Sequence, residues 1–113
     1  MQYMFLFVDE RENVVHDMDA WRAYMGAMHE AGIMKYGDEL HPNEAATTLR
    51  IRDGKRSVQD GPYADVREQL GGFVVVEVPD LDTALDWAAK SPAAELGCVE
   101  VRPVVLHDAP APA

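Results

Sequence analysis

Asp60 opens the run Asp60-Gly61-Pro62-Tyr63, and the residues before it can turn a carboxylate into a proton acceptor. The segments Thr47 to Arg52 and Lys55 to Asp60 flank Asp53-Gly54. That dipeptide is favoured at a two-residue type I′ turn, whose central residues both need positive φ. A two-residue turn pairs Leu49 with Val58 and Thr47 with Asp60, and period-two alternation then places Thr47, Leu49, Ile51, Val58 and Asp60 on one face. A carboxylate at the rim of an apolar face loses hydration, which disfavours its charged form and makes it a useful general base. The alternative is structural: Asp at the start of Asp-Gly-Pro can accept N–H bonds from the residues that follow and hold the turn. A register slip of one residue would turn Asp60 outward.

His41 is the second candidate. It follows Asp38 and Leu40 at a strand end and precedes Pro42, so with Asp38 or Asp60 it can form a proton-transfer pair at a cleft mouth. An exposed loop histidine is the alternative. His16, His29 and His107 are dispersed and share no metal-ligand spacing, so neither a metal site nor a cofactor is indicated. His29 sits three residues before Gly32, where a helix macrodipole stabilises a cation. Arg102 can clamp an anionic ligand group with its planar fork, or simply pair with Glu100. Ser57, Ser91 and Cys98 lack a neighbouring base, and Gly71-Gly72 precedes a strand rather than a helix, so neither nucleophilic catalysis nor a phosphate loop is supported.

These residues need a scaffold, and the pattern supplies one. Tyr3 to Val8 is apolar on both alternating faces, which predicts a central strand covered on both sides. Asp17 or Asp19 caps a helix to about Ala31, with Trp21, Met25 and Met28 as its core stripe and Gly32 as its stop. A strand over Ile33 to Leu40 and the hairpin follow. Gly71 to Val78 is another internal strand, and Asp80 caps a helix with Leu81, Ala84, Leu85 and Ala88 buried and Trp87 at the edge. After a short turn over Ala93 to Leu96, Cys98 to Leu106 forms a last strand, with Val99 and Val101 on one face and Glu100 and Arg102 on the other. Strand, helix, strand, hairpin, strand, helix, strand is an α+β, ferredoxin-like sandwich with an inserted β-hairpin. Two helices cover one sheet face, and the other face needs a partner.

The 113 residues make a single domain over residues 1–106, with a Pro/Ala-rich tail over 107–113. So small a chain gains core by sharing a sheet face with a second copy, which predicts a homodimer. Twenty acids against ten bases give a net charge of −10, which opposes binding to nucleic acid or to an anionic membrane. The cluster Arg50, Arg52, Lys55 and Arg56 flanks the Asp-Gly turn and is read as a solvated hairpin tip. No segment approaches the length of a membrane span, the chain opens with no basic leader, and Cys98 is the sole cysteine, so a reducing cytoplasm is expected.

The order of several fragments carries a family resemblance. Gly37-Asp38-Glu39-Leu40-His41-Pro42, Ala46-Thr47-Thr48-Leu49-Arg50, Asp60-Gly61-Pro62-Tyr63, Ala84-Leu85-Asp86-Trp87-Ala88 and Val99-Glu100-Val101-Arg102-Pro103 together resemble the YCII-related proteins. The closest likeness is to the branch named for an Asp-Gly-Pro-Phe motif, in which Tyr63 replaces the Phe. The resemblance implies a dimeric α/β barrel similar to muconolactone isomerases, with Asp60 as the candidate for the catalytic Asp; Tyr63, beside it, is a candidate ligand contact. Another branch places a His early in the first helix as partner to an Asp. Here that stretch reads Ala20-Trp21-Arg22-Ala23-Tyr24, so the pair does not transfer. The function expected is a cofactor-free lyase or isomerase moving a proton on a small cyclic or carboxylated metabolite. The alternatives are a small-ligand-binding or regulatory dimer, since relatives often accompany transcription-initiation factors, and a purely structural dimer module.

Overall fold

Tyr3, Phe5 and Phe7 alternate with Met4, Leu6 and Val8 along the first strand, and the structure buries only the first set deeply. The structure is a computed structural model and describes residues 1–10, 15–63 and 68–107. In chain order its elements are β1 (Gln2–Asp9), α1 (Met18–Glu30), β2 (Met34–Glu39), β3 (Thr47–Arg52), β4 (Lys55–Asp60), β5 (Gln69–Glu77), α2 (Leu81–Ala89), α3 (Ala93–Leu96) and β6 (Gly97–Pro103). The main sheet runs β2-β5-β1-β6 with every pairing antiparallel. This is the ferredoxin-like α+β arrangement, with β3 and β4 forming a separate two-stranded sheet.

Residues directly opposite in an antiparallel pair share a face. Phe5 opposes Val74 and Val101, while Phe7 opposes Gly72 and Val99, so one face collects these side chains under Tyr24 and Met28 of α1, Ala84 and Ala88 of α2 and Ala93 of α3. The other face carries Met4, Leu6, Val8 and Phe73, all half-buried, with Tyr36 exposed beside them. The expectation that β1 is covered on both sides therefore holds for its helix face alone within one chain. Along α2 the buried positions are Ala84 and Ala88, whereas Leu81 and Leu85, expected inside, are about half exposed, and Trp87 packs against the core instead. Alanine lets this short helix sit close to the sheet, and the two leucines flank that contact.

Both longer helices begin on an aspartate. The Asp17 carboxylate accepts from the N–H groups of Asp19 and Ala20 at 3.0 and 3.2 Å. Asp80 accepts from the hydroxyl and the N–H of Thr83 at 2.7 and 2.8 Å, and these bonds hold its carboxyl below its usual range. Between the helices the Tyr24 hydroxyl donates to the Trp87 carbonyl at 3.0 Å, and burial pushes this phenol well above its ordinary range.

The hairpin follows its turn chemistry. Asp53 and Gly54 have φ of 53° and 74°, Thr47 opposes Asp60, and Leu49 opposes Val58. Its apolar face is bare: Leu49, Ile51 and Val58 are 53, 62 and 58% exposed. The molecule measures 51 × 46 × 19 Å with a radius of gyration of 16.7 Å. A compact chain of this length has about 13 Å. The Pro/Ala-rich tail beyond His107 lies outside the described residues, as do residues 64–67 of the motif stretch.

Candidate functional site

A cleft of about 910 Å³ opens where β1, β2 and β5 run out beside the start of α1. Its floor is Phe7, Gly37 and Gly72. The two glycines occupy helix-side positions, Gly37 opposite Val74 and Gly72 opposite Phe7, so the sheet offers no side chains there and space remains beneath α1. At Gly72 a Cβ would lie 2.8 Å from the Asp38 carbonyl oxygen, so the close approach of β2 to β5 requires glycine. Met18, Trp21, Arg22 and Met25 form the α1 wall. The opposite wall is the exit of β2, tied down by Leu40 N–H to the Gly71 carbonyl at 2.8 Å, Asn43 N–H to Gln69 Oε1 at 3.0 Å and Asn43 Nδ2 to the Glu68 carbonyl at 2.8 Å.

Two residues that the sequence reading passed over meet in this cleft. Asp9 ends β1 in regular register opposite Gly97, which puts it on the helix side with Phe7. His16 precedes the Asp17 cap, and its Nε2 lies 2.9 Å from Asp9 Oδ2. The Trp21 indole N–H donates to His16 Nδ1 at 3.2 Å from one turn into α1. The side chains of His16 and Asp9 are 26% and 14% exposed, sheltered enough for their hydrogen bond to be specific and open enough to be reached. Phe7 and Tyr24 pack edge-on against Trp21, with centroids 5.0 and 6.0 Å away, and fix the indole. A His–Asp hydrogen bond at the edge of a cleft is one arrangement that can serve general acid–base chemistry.

Asp38 and His41 line the same cleft, although Asp38 opposes Phe73 and so belongs by register to the uncovered sheet face. Among the described residues no hydrogen bond joins His41 to Asp38 or to Asp60. Asp60 shares its face with Thr47, Leu49, Ile51 and Val58 as the register required, but that face is bare, and Asp60 is exposed and does not line the cleft. The turn after it is held by the backbone and a threonine: Gly61 N–H to the Ala46 carbonyl at 2.7 Å, and Thr48 Oγ1 to the Gly61 carbonyl at 2.8 Å. Of the motif, Pro62 is the residue that reaches the cleft. Tyr63 is 75% exposed with the Arg50 guanidinium 5.1 Å from its ring centroid. Arg102 donates from Nε to Glu100 Oε2 at 2.9 Å, the pairing alternative for this residue.

Among the described residues the cleft is weighted toward acid: Asp9, Asp38, Glu39 and Glu44 line it with one guanidinium, Arg22, which is bonded to Asp19 at 3.1 Å. Among the described residues no three His, Cys, Asp or Glu side chains gather as a metal-binding group. A signal for Asp9 was present in the sequence, since alternation from Tyr3 through Phe5 and Phe7 continues to it. His16 gave less, because its approach to Asp9 depends on the path of the chain between β1 and α1.

Comparison with known proteins agrees with this architecture. The chain is 40% identical over 102 residues to an uncharacterized protein of Rhizobium meliloti (strain 1021), covering 88% of this chain and 79% of that one. The 5-chloro-2-hydroxyhydroquinone dehydrochlorinase TftG of Burkholderia phenoliruptrix AC1100, solved in complex with 2,5-dihydroxybenzoquinone, superposes with a TM-score of 0.54 at 15% identity. That match covers 93% of this chain and 94% of TftG and speaks to fold. The profile of the YCII-related domain matches residues 1–107, nearly the whole of the six-stranded scaffold and its cleft, and the chain therefore belongs to the YCII-related domain family.

Proposed function

We propose that this protein is a small lyase or isomerase that works by proton transfer without a cofactor, with Asp9 and His16 as the acid–base pair. The 2.9 Å hydrogen bond between them, at the edge of an apolar cleft, carries the reading. Asp9 accepts a proton from the substrate while His16 orients the carboxylate. The electron pair left behind either moves the double bond, with the proton returned at another atom, or expels a leaving group as an anion. TftG bears the name of a dehydrochlorinase, a reaction of the second kind. His41 sits across the cleft, where it assists by holding a substrate oxygen, while Asp38 belongs by register to the other sheet face. Asp60 lies outside this cleft within one chain and has no part in the reading. Among the described residues four carboxylates and one paired guanidinium line the cleft, which supports uncharged ring compounds over carboxylated ones.

The working unit we infer is a homodimer. A second copy would cover the face bearing Met4, Leu6, Val8 and Phe73, and the bare apolar face of the hairpin supports the same reading. Charge favours it too: the hairpin holds Arg50, Arg52, Lys55 and Arg56 against Asp53 and Asp60, while the rest of the chain holds 18 acids and 6 bases.

The test is deuterium incorporation from D2O into a panel of hydroxylated and carboxylated ring compounds, followed by proton NMR. Wild type should label at least one uncharged ring, and Asp9→Asn should label it about a hundredfold more slowly. A compound that binds without labelling would move the assignment to the ligand-binding, regulatory alternative.

A further inference from the structure

Both nitrogens of His16 are engaged, and this decides which member of the pair can meet a substrate. Trp21 Nε1–H is a donor with no acceptor capacity, so the His16 Nδ1 at 3.2 Å must present a lone pair. The ring proton of the neutral imidazole then resides on Nε2, 2.9 Å from Asp9 Oδ2. We propose that Trp21 is a positioning residue that fixes His16 as the Nε2–H donor, so that the acceptor turned to the substrate is the second carboxylate oxygen of Asp9 rather than the imidazole. This rests on the proton-transfer reading of the cleft and extends it by assigning direction. Histidine holds and orients the carboxylate, and tryptophan holds the histidine.

The geometry supports this beyond the two distances. Trp21 is itself clamped edge-on by Phe7 and Tyr24, and its ring lies at 66° to that of His16 with centroids 6.0 Å apart. A half-buried indole N–H needs an acceptor, and the acceptor it has here is His16 Nδ1. The stripe of Trp21, Met25 and Met28 read from the sequence as core is thus divided: Met28 is fully buried, while Trp21 and Met25 also face the cleft.

The experiment is nitrogen-15 NMR of the labelled protein at alkaline pH, where imidazoles are neutral. In wild type, His16 should show an unprotonated Nδ1 with a scalar coupling across the hydrogen bond to the Trp21 indole nitrogen, and an Nε2–H proton slow to exchange with water. In Asp9→Asn the coupling should persist, because the tryptophan and not the carboxylate holds Nδ1. In Trp21→Phe the Nε2–H proton should exchange on the order of tenfold faster, the factor a single hydrogen bond carries. A protonated Nδ1 in wild type, loss of the coupling in Asp9→Asn, or unchanged exchange in Trp21→Phe would each overturn the assignment. Should Trp21→Phe fail to fold, the wild-type and Asp9→Asn spectra still decide. None of these readouts needs turnover, so a failed deuterium screen and a failed tautomer assignment are separate results.

Discussion

Asp9 and Asp60 are two strand-end aspartates with opposite fates, and what packs beside each decides between them. Asp9 follows Phe7 on the covered face of the sheet and finds an imidazole at hydrogen-bond distance. Asp60 follows Val58 on a face that nothing within one chain covers, and it lies away from the cleft. Replacing Asp60 by Asn should therefore leave deuterium incorporation as in wild type, and in the Leu6→Lys, Ile51→Asp monomer, where the hairpin face is open, should leave the unfolding free energy unchanged within about 0.5 kcal/mol, the usual range for exposed sites. Urea denaturation at neutral pH checks the second. A loss on the order of 1 kcal/mol would return Asp60 to the turn-holding role, and a loss of labelling would return it to the reacting centre.

At the scale of elements, the start of α2 makes a pH-dependent prediction. Asp80 is held below its usual range by the Thr83 hydroxyl and then by the Thr83 N–H. A carboxyl whose folded value is depressed contributes stability above its unfolded value, near 3.9, and loses it as pH falls through the lower folded value. Wild type should thus exceed Asp80→Ala in stability at neutral pH, and the gap should shrink as the solution is acidified below about pH 4. Thermal melts of both proteins across that range test this, and a gap independent of pH would mean the carboxylate charge contributes nothing to the cap. On the opposite side of the molecule, the β2 exit owes its position to bonds from Leu40 and Asn43 to β5, which place His41 and Glu44 on the cleft.

The whole molecule is 19 Å thick, the depth of one sheet and one helix layer, and wide in its other two dimensions. A lone two-stranded hairpin is marginal in water, and three residues more than half exposed on its apolar face add to the cost. Sedimentation of the native chain should give a dimer, and Leu6→Lys together with Ile51→Asp should give monomers of reduced stability. If the native chain sediments as a monomer, the sheet face and the hairpin are covered by something other than a second copy.

The sequence by itself determined the elements, because their signals are local. A continuous apolar run marks β1, alternation marks β6, aspartate caps mark α1 and α2, and Asp53-Gly54 dictates the hairpin register to the residue. Family membership was legible for the same reason, as fragments in fixed order. The site was legible in part: Asp38 and His41 do line the cleft, because a strand end followed by a proline is itself a local signal. The pairing of Asp9 with His16 and Trp21 was not. It depends on where α1 crosses β1, and a nonlocal packing angle leaves no periodicity in the chain. Tertiary structure also placed Asp60 away from the cleft, since what packs beside a hairpin face is not recorded by neighbours along the chain.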